Sequence, residues 1–176
     1  QLWQRELSGI LRYVQKEPEF TWRGGIKADE NRVALPMYFC RDCGASGWIT
    51  RRLATDDRYC SDVRTVNMAF ANKEKDVYLL NTEVKRHEAV DDYIGENAIS
   101  VTHYVKLNNL CESSVSDSDT IRLRICSKTS SNTSGNQKFA RTCPECNGGD
   151  TICQIGGRTS TLSSVAISQV LSSDFD

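Results

Sequence analysis

The sequence predicts an α+β fold: antiparallel strands joined by cysteine-bearing turns, with a long mixed insert and flanking helices. Three observations predict it. Two Cys-x-x-Cys pairs, Cys40 with Cys43 and Cys143 with Cys146, have 99 residues between them. Short apolar or alternating runs flank these pairs, and apolar residues at helical spacing occupy both ends of the chain. The 176 residues, 39% hydrophobic with a mean hydropathy of -0.47, suit one globular domain with flanking pieces. No run of 18 apolar residues occurs, so no spanning helix is expected.

The elements follow in order. Leu2, Trp3, Leu7, Ile10, Leu11 and Val14 recur at helical spacing, which predicts an N-terminal helix within residues 1–22, ending before Pro18. Residues 23–32 read as a polar turn. Val33 to Phe39 leads into the first Cys-x-x-Cys as a strand, and Gly47 to Thr50 leaves it as the returning strand. The insert, about residues 55–138, holds short apolar runs at Val63–Phe70 (strand or helix edge) and Val77–Leu80 (strand). Its clearest strands are Ser100–Leu107 and Thr120–Cys126. Glu112–Asp119 and Ser127–Gln137 are Ser-rich and read as loops, the second a mobile one. Leu162, Val165, Ala166, Ile167, Val170 and Leu171 predict a closing helix over 159–176, with Thr159 or Ser160 as its N-cap.

The cysteines carry the chemistry. Each pair is followed by turn-prone residues, Gly44-Ala45-Ser46-Gly47 and Asn147-Gly148-Gly149. Two such knuckles supply four thiolates, and zinc takes four soft ligands tetrahedrally at about 2.3 Å from sulfur. Cys40, Cys43, Cys143 and Cys146 are therefore the predicted ligands of one structural zinc, and residues 33–158 a zinc-ribbon-like domain. Closing a loop of that length costs about 4 kcal/mol plus a constant. A structural zinc contributes on the order of 10 kcal/mol, which outweighs it. A disulfide framework, a thioredoxin-like redox pair and an iron–sulfur cluster are the competing readings; the first suits short secreted chains, the second a single pair at a helix start. Cys60, Cys111, Cys126 and Cys153 read most simply as small buried hydrophobes, though their number would also allow a second metal site. His87 reads as part of a solvated charged face, and His103 as a strand residue.

Charge excludes little and supports little. Lys and Arg total 22 against 23 acidic residues, a formal net charge of -1, so no general electrostatic attraction to nucleic acid is expected. The chain holds no G-x-x-x-x-G-K-S/T, H-E-x-x-H, G-x-S-x-G or G-x-G-x-x-G motif. Four cysteines also close a metal's coordination sphere, leaving no position for a reacting water. Catalysis by these residues is not expected.

Three segments together resemble an internal part of a DEAD/DEAH-box superfamily 2 helicase, of the large type found in bacterial helicases and phage-defence systems. They are Leu35 to Trp48, Cys143 to Cys146 and Gly157 to Leu171. The resemblance implies a zinc-binding stretch between two RecA-like motor domains. Residues 1–22 would then end the preceding helicase region, and 159–176 would run toward the second motor domain. It implies a cytoplasmic parent that binds ATP and magnesium and hydrolyses ATP elsewhere in its chain, with the motor domains, and DNA or RNA, as partners and no membrane. A chain beginning at Gln1 is expected to be an excised fragment. Arg41, Trp48, Arg51, Arg52, Lys138 and Arg141 are candidates for nucleic-acid contact, with Arg58 and Tyr38 beside them. The alternative is a purely structural or protein-interaction zinc-ribbon module with no nucleic-acid contact.

Overall fold

The computed structural model describes residues 9–24, 32–52, 58–82, 98–131, 137–139, 141–146 and 148–155. These form two antiparallel sheets and one helix. Strands β1 (Ile10–Tyr13), β2 (Phe20–Trp22) and β3 (Ala34–Leu35) make a small sheet ordered β2-β1-β3. The larger sheet is built from β4 (Met37–Cys40), β5 (Ser46–Arg51), β6 (Val77–Thr82), β7 (Ala98–Lys106), β8 (Glu112–Ser113), β9 (Thr120–Ser131), β10 (Gln137–Phe139) and β11 (Ile152–Ile155). Its order is β11-β4-β5-β6-β9-β7-β8, with β10 also on β9. Helix α1 (Val63–Ala71) packs on one face of it. This is the expected zinc-ribbon-like α+β architecture. Among the described residues no helix is long and apolar enough to cross a membrane.

The N-terminal helix is not what forms over the described part of 1–22. Ile10–Tyr13 is a strand, flanked by β2 (Leu11 opposite Thr21) and β3 (Tyr13 opposite Ala34). Leu11 and Tyr13 are buried while Ile10 and Arg12 are half-exposed, a period of two rather than 3.6. Gly9, at φ +118, already takes a backbone conformation that a helix excludes. Apolar residues at 10, 11 and 14 satisfy a helical template by spacing alone, and pairing on both edges overrides it. Residues 1–8 and the predicted closing helix at 159–176 lie outside the described residues.

The long insert does not fold as a subdomain apart from the cysteine strands. Strand β6 pairs directly with β5 (Trp48 opposite Leu80), β9 pairs with β6 (Leu80 opposite Ile125), and β7 pairs with β9 over nine residue pairs. The insert therefore forms the middle and far half of the same sheet. The predicted loop at 127–137 is also revised: β9 continues to Ser131, with Ser130 opposite Lys138 and Thr129 opposite Phe139 on β10. Ser127 to Ser131 show no apolar alternation in sequence, so a hydrophobic pattern cannot reveal this backbone ladder. Residues 132–136 lie outside the described residues.

Val63–Phe70 resolves as a helix because Val63, Val66, Ala69 and Phe70 recur on one face. Asp62 caps it, its carboxylate accepting from the Thr65 amide at 2.9 Å. Alternation along β5 and β6 gives the sheet two buried faces. Ile49, Val77 and Leu79 join Tyr38, Cys40, Cys143, Ile152 and α1 on one side. Trp48 and Leu80 join Val14, Leu35, Tyr59, Leu110, Leu123 and Ile125 on the other. Trp48 also bridges the two sheets, its indole N–H donating to the Arg12 carbonyl at 3.2 Å beneath the Arg12 guanidinium.

Candidate metal centre

The first knuckle is a tight turn within the β4–β5 hairpin. The Cys40 amide donates to the Ala45 carbonyl at 2.8 Å, and the Gly44 amide donates back to the Cys40 carbonyl at 3.1 Å. Gly44 sits at φ +76, a left-handed conformation that a glycine reaches without steric cost. In the second knuckle the Cys143 amide donates to the Gly148 carbonyl at 3.1 Å. Strand β11 then carries the chain onto the free side of β4, with Ile152 opposite Cys40, and this register brings the two knuckles together.

All four sulfurs lie within 4.8 Å of one another, and Cys40 to Cys146 and Cys43 to Cys143 are 3.7 and 3.6 Å. A tetrahedron with metal–sulfur bonds of about 2.3 Å has edges of about 3.8 Å, so the cluster already has the dimensions a zinc ion needs. One cysteine of each knuckle is buried (Cys40, Cys143) and one is exposed (Cys43, Cys146), which puts the site at the rim of the core. Close packing of the knuckles depends on Gly148. A Cβ there would stand 2.6 Å from the Asp42 carboxylate and 2.9 Å from the Thr151 methyl.

The thiols are not equivalent. Burial pushes the Cys40 thiol up, but hydrogen bonds with Thr151 and from the backbone at Cys43 and Asp42 outweigh it and bring the group to about 6. Burial raises Cys43 and, more strongly, Cys143. The pocket thus holds one sulfur ready to ionise and keeps protons on at least two others, protons that a divalent cation displaces on binding. Four thiolates would fill a zinc ion's sphere, which makes the centre structural and leaves no open position for catalysis.

Side chains that the sequence did not single out fasten the second knuckle. Glu145 accepts from Asn81 on β6 at 3.3 Å and pairs with Arg124 on β9 at 3.2 Å. Thr151 donates to the Gly148 carbonyl at 3.0 Å and lies 3.3 Å from the Cys40 sulfur. Only Gly148, within a glycine doublet, carried a visible signal. The remaining cysteines stay apart from the cluster: Cys126 is buried, and Cys60, Cys111 and Cys153 are half-buried. Among the described residues, no other cluster of possible metal ligands forms. His103, half-exposed on β7, is not a member of the cluster, and His87 lies outside the described residues.

Several of the residues expected to meet nucleic acid are buried or engaged within the fold. Trp48 and Tyr38 are fully buried, so neither ring is available to stack on a base. Arg51 pairs with Asp76 and, at 3.2 Å, Glu74; Arg52 pairs with Glu112 at 3.0 Å. The Arg141 guanidinium lies 4.6 Å over the Phe70 ring and donates to the Phe70 carbonyl at 3.2 Å, joining the second knuckle to the end of α1. Arg41 is exposed and donates to the Asp150 carbonyl at 3.0 Å, across the two knuckles. Arg58 is exposed beside Cys111 in an isolated bridge, and Lys138 lies on β10. Comparison of the chain with protein families, with curated proteins and with solved structures found no match in any of the three.

Proposed function

We propose that this chain is a structural zinc-ribbon module, in which one zinc ion held by Cys40, Cys43, Cys143 and Cys146 locks strand β11 and its knuckle onto the β4–β5 hairpin. The observation that carries this reading is the convergence of four thiols from two distant Cys-x-x-Cys pairs at tetrahedral spacing. Its role is architectural or protein-binding rather than catalytic or nucleic-acid-binding. The burial of Trp48 and Tyr38 and the acidic partners of Arg51 and Arg52 support that choice. Elemental analysis of the purified protein tests it: about one zinc per chain is expected. A metal-free protein that is nonetheless fully folded overturns it.

A finer reading places the module between the RecA-like motor domains of a cytoplasmic DEAD/DEAH-box helicase, with those domains as its partners and ATP and magnesium bound outside it. Its support is the likeness of residues 35–48, 143–146 and 157–171 to such helicases. A phosphate loop and acidic box upstream of Gln1 in the full-length gene would support the assignment, and their absence would end it. Whether the parent engages DNA or RNA through this module is tested by salt-dependent binding of an oligonucleotide, weakened by Arg51→Glu with Arg52→Glu.

A further inference from the structure

We propose that β2 is a self-pairing edge, through which two copies of this chain join by antiparallel alignment of their β2 strands about a two-fold axis at Thr21. Strand β2 ends the small sheet, and among the described residues no strand lies on its outer side. Which of its backbone groups point outward follows from its pairing with β1. The Tyr13 amide donates to the Glu19 carbonyl at 2.9 Å, and the Arg23 amide to the Gly9 carbonyl at 2.7 Å. Leu11 opposite Thr21 lies midway between those bonded pairs, so residues 19, 21 and 23 turn their backbone groups toward β1. The amides and carbonyls of Phe20 and Trp22 then face away from it, the template an edge strand offers to another strand. The Trp22 carbonyl accepts from the Thr21 hydroxyl at 3.4 Å, which leaves a second lone pair for a strand partner.

The occupant that fits this edge is the same strand running the other way. Antiparallel pairing centred on Thr21 sets Phe20 opposite Trp22 of the second copy, twice over. These are the two residues whose backbone groups point outward, so each such pair closes two hydrogen bonds. Phe20 and Trp22 share one face of β2 and are 56% and 52% exposed, an aromatic pair of the kind that marks an interaction surface. Self-pairing lays each ring beside its counterpart, with Ile10, opposite Trp22 on β1, next along that face. Charge matches in the same register. Glu19 falls opposite Arg23 of the second copy at both ends, and both residues are exposed. These are non-hydrogen-bonded positions, where side chains approach most closely. Glu19 pairs with Arg32 at 2.7 Å, yet its side chain remains 46% exposed, which leaves the carboxylate room for a second cation. Pro18 has no N–H to donate and ends the ladder. The contact is isologous, so it closes at two copies.

The experiment follows the mass of the full chain by sedimentation across a concentration series, with amide exchange read at residues 20–22. A contact of three residue pairs is small, so a dissociation constant on the order of 10–100 µM is expected. The mass should rise from 19.8 kDa toward twice that value. The Phe20 and Trp22 amides should gain protection as the dimer forms, while that of Thr21, already turned to β1, should not change. Glu19→Arg and Arg23→Glu each set like charges opposite one another and should each weaken self-association about tenfold. An equimolar mixture of the two variants restores opposite charges at both ends and should associate like the wild type. Trp22→Thr, which leaves the ion pairs in place, should also weaken association about tenfold. A chain that stays at 19.8 kDa at millimolar concentration overturns the inference, and protection of Phe20 and Trp22 in that monomer would mark another segment of the same chain as the occupant. A dimer in which those two amides gain no protection also overturns it, since its interface lies elsewhere. A mixture of the charge variants that associates no better than either alone overturns the register. Amide exchange on the wild-type chain decides the matter even if Glu19→Arg, which loses its bond to Arg32, unfolds.

Discussion

The two knuckles are chemically alike and structurally different. Cys40 and Cys43 occupy the turn of a continuous hairpin, where Met37 opposite Trp48 and Tyr38 opposite Gly47 set the geometry through local backbone pairing. Cys143 and Cys146 occupy irregular chain between Arg141, itself at φ +49, and β11. Their position depends on side chains reaching from elsewhere: Glu145 to Asn81 and Arg124, and Arg141 to Phe70. The first half of the centre is made by the sheet; the second is tied to it. A metal therefore matters most to the half that lacks a ladder of its own.

The largest expected effect separates the halves directly. Cys143→Ser removes one buried ligand, and an apparent contribution of about 10 kcal/mol from a structural zinc is then at stake. Zinc content should drop well below one per chain. Hydrogen exchange should rise over residues 141–155 far more than over 37–51, and equal loss in both segments would contradict the contrast drawn above.

Next comes Gly47→Ala, which strikes the sheet-made half. The added Cβ would fall 2.1 Å from the Leu80 carbonyl, a backbone atom that cannot swing away. Overpacking of this kind costs about 1–3 kcal/mol, and the loss should persist in metal-free protein, as denaturant unfolding with and without chelator would show. Glu145→Ala is its counterpart on the tied half. It should weaken zinc about tenfold, read by competition with a chromophoric chelator, while the metal-free melting temperature changes less.

Proton release sharpens the comparison further. At pH 7 to 8 burial keeps Cys43 and Cys143 protonated, so uptake of zinc should release at least two protons, and calorimetry in buffers of different ionisation enthalpy would count them. Below about 6 Cys40 holds its proton as well, so affinity should fall more steeply with acid there. The smallest effect belongs to α1: Asp62→Ala removes the N-cap and should cost about 1 kcal/mol in chemical unfolding, without altering zinc content. Its carboxyl is held below the usual value by Thr65, so this contribution is present at neutral pH and fades as the pH drops through that lowered value.

How much of this could be read from sequence follows from the same contrast. The first knuckle and its strands were legible because Cys-x-x-Cys, glycine and flanking apolar runs sit within one short window, Val33 to Thr50. The ligand set was legible from spacing alone. The anchoring of the second knuckle was not, since Glu145 meets Asn81 across 64 residues and nothing local in either marks the pair. Strand β1 was misread because its apolar spacing fits a helix until its strand partners are known, and β9 beyond Cys126 because a Ser/Thr-rich ladder has no hydrophobic period. The placement of the insert at the centre of the sheet is a property of register, which sequence patterns do not encode.

The order of the strands has a consequence for how the molecule is made. Synthesis delivers Cys40 and Cys43 a hundred residues before Cys143. At about 5–20 residues per second, two thiols spend roughly 5–20 s on a nascent chain with no second pair to share an ion. During that interval the β4–β5 hairpin can form but β11 cannot cover its outer edge. A ribosome-bound intermediate halted after β9 should therefore be the stage most exposed to oxidation and to wrong metals, and the arrival of β11 is the step that ends that exposure.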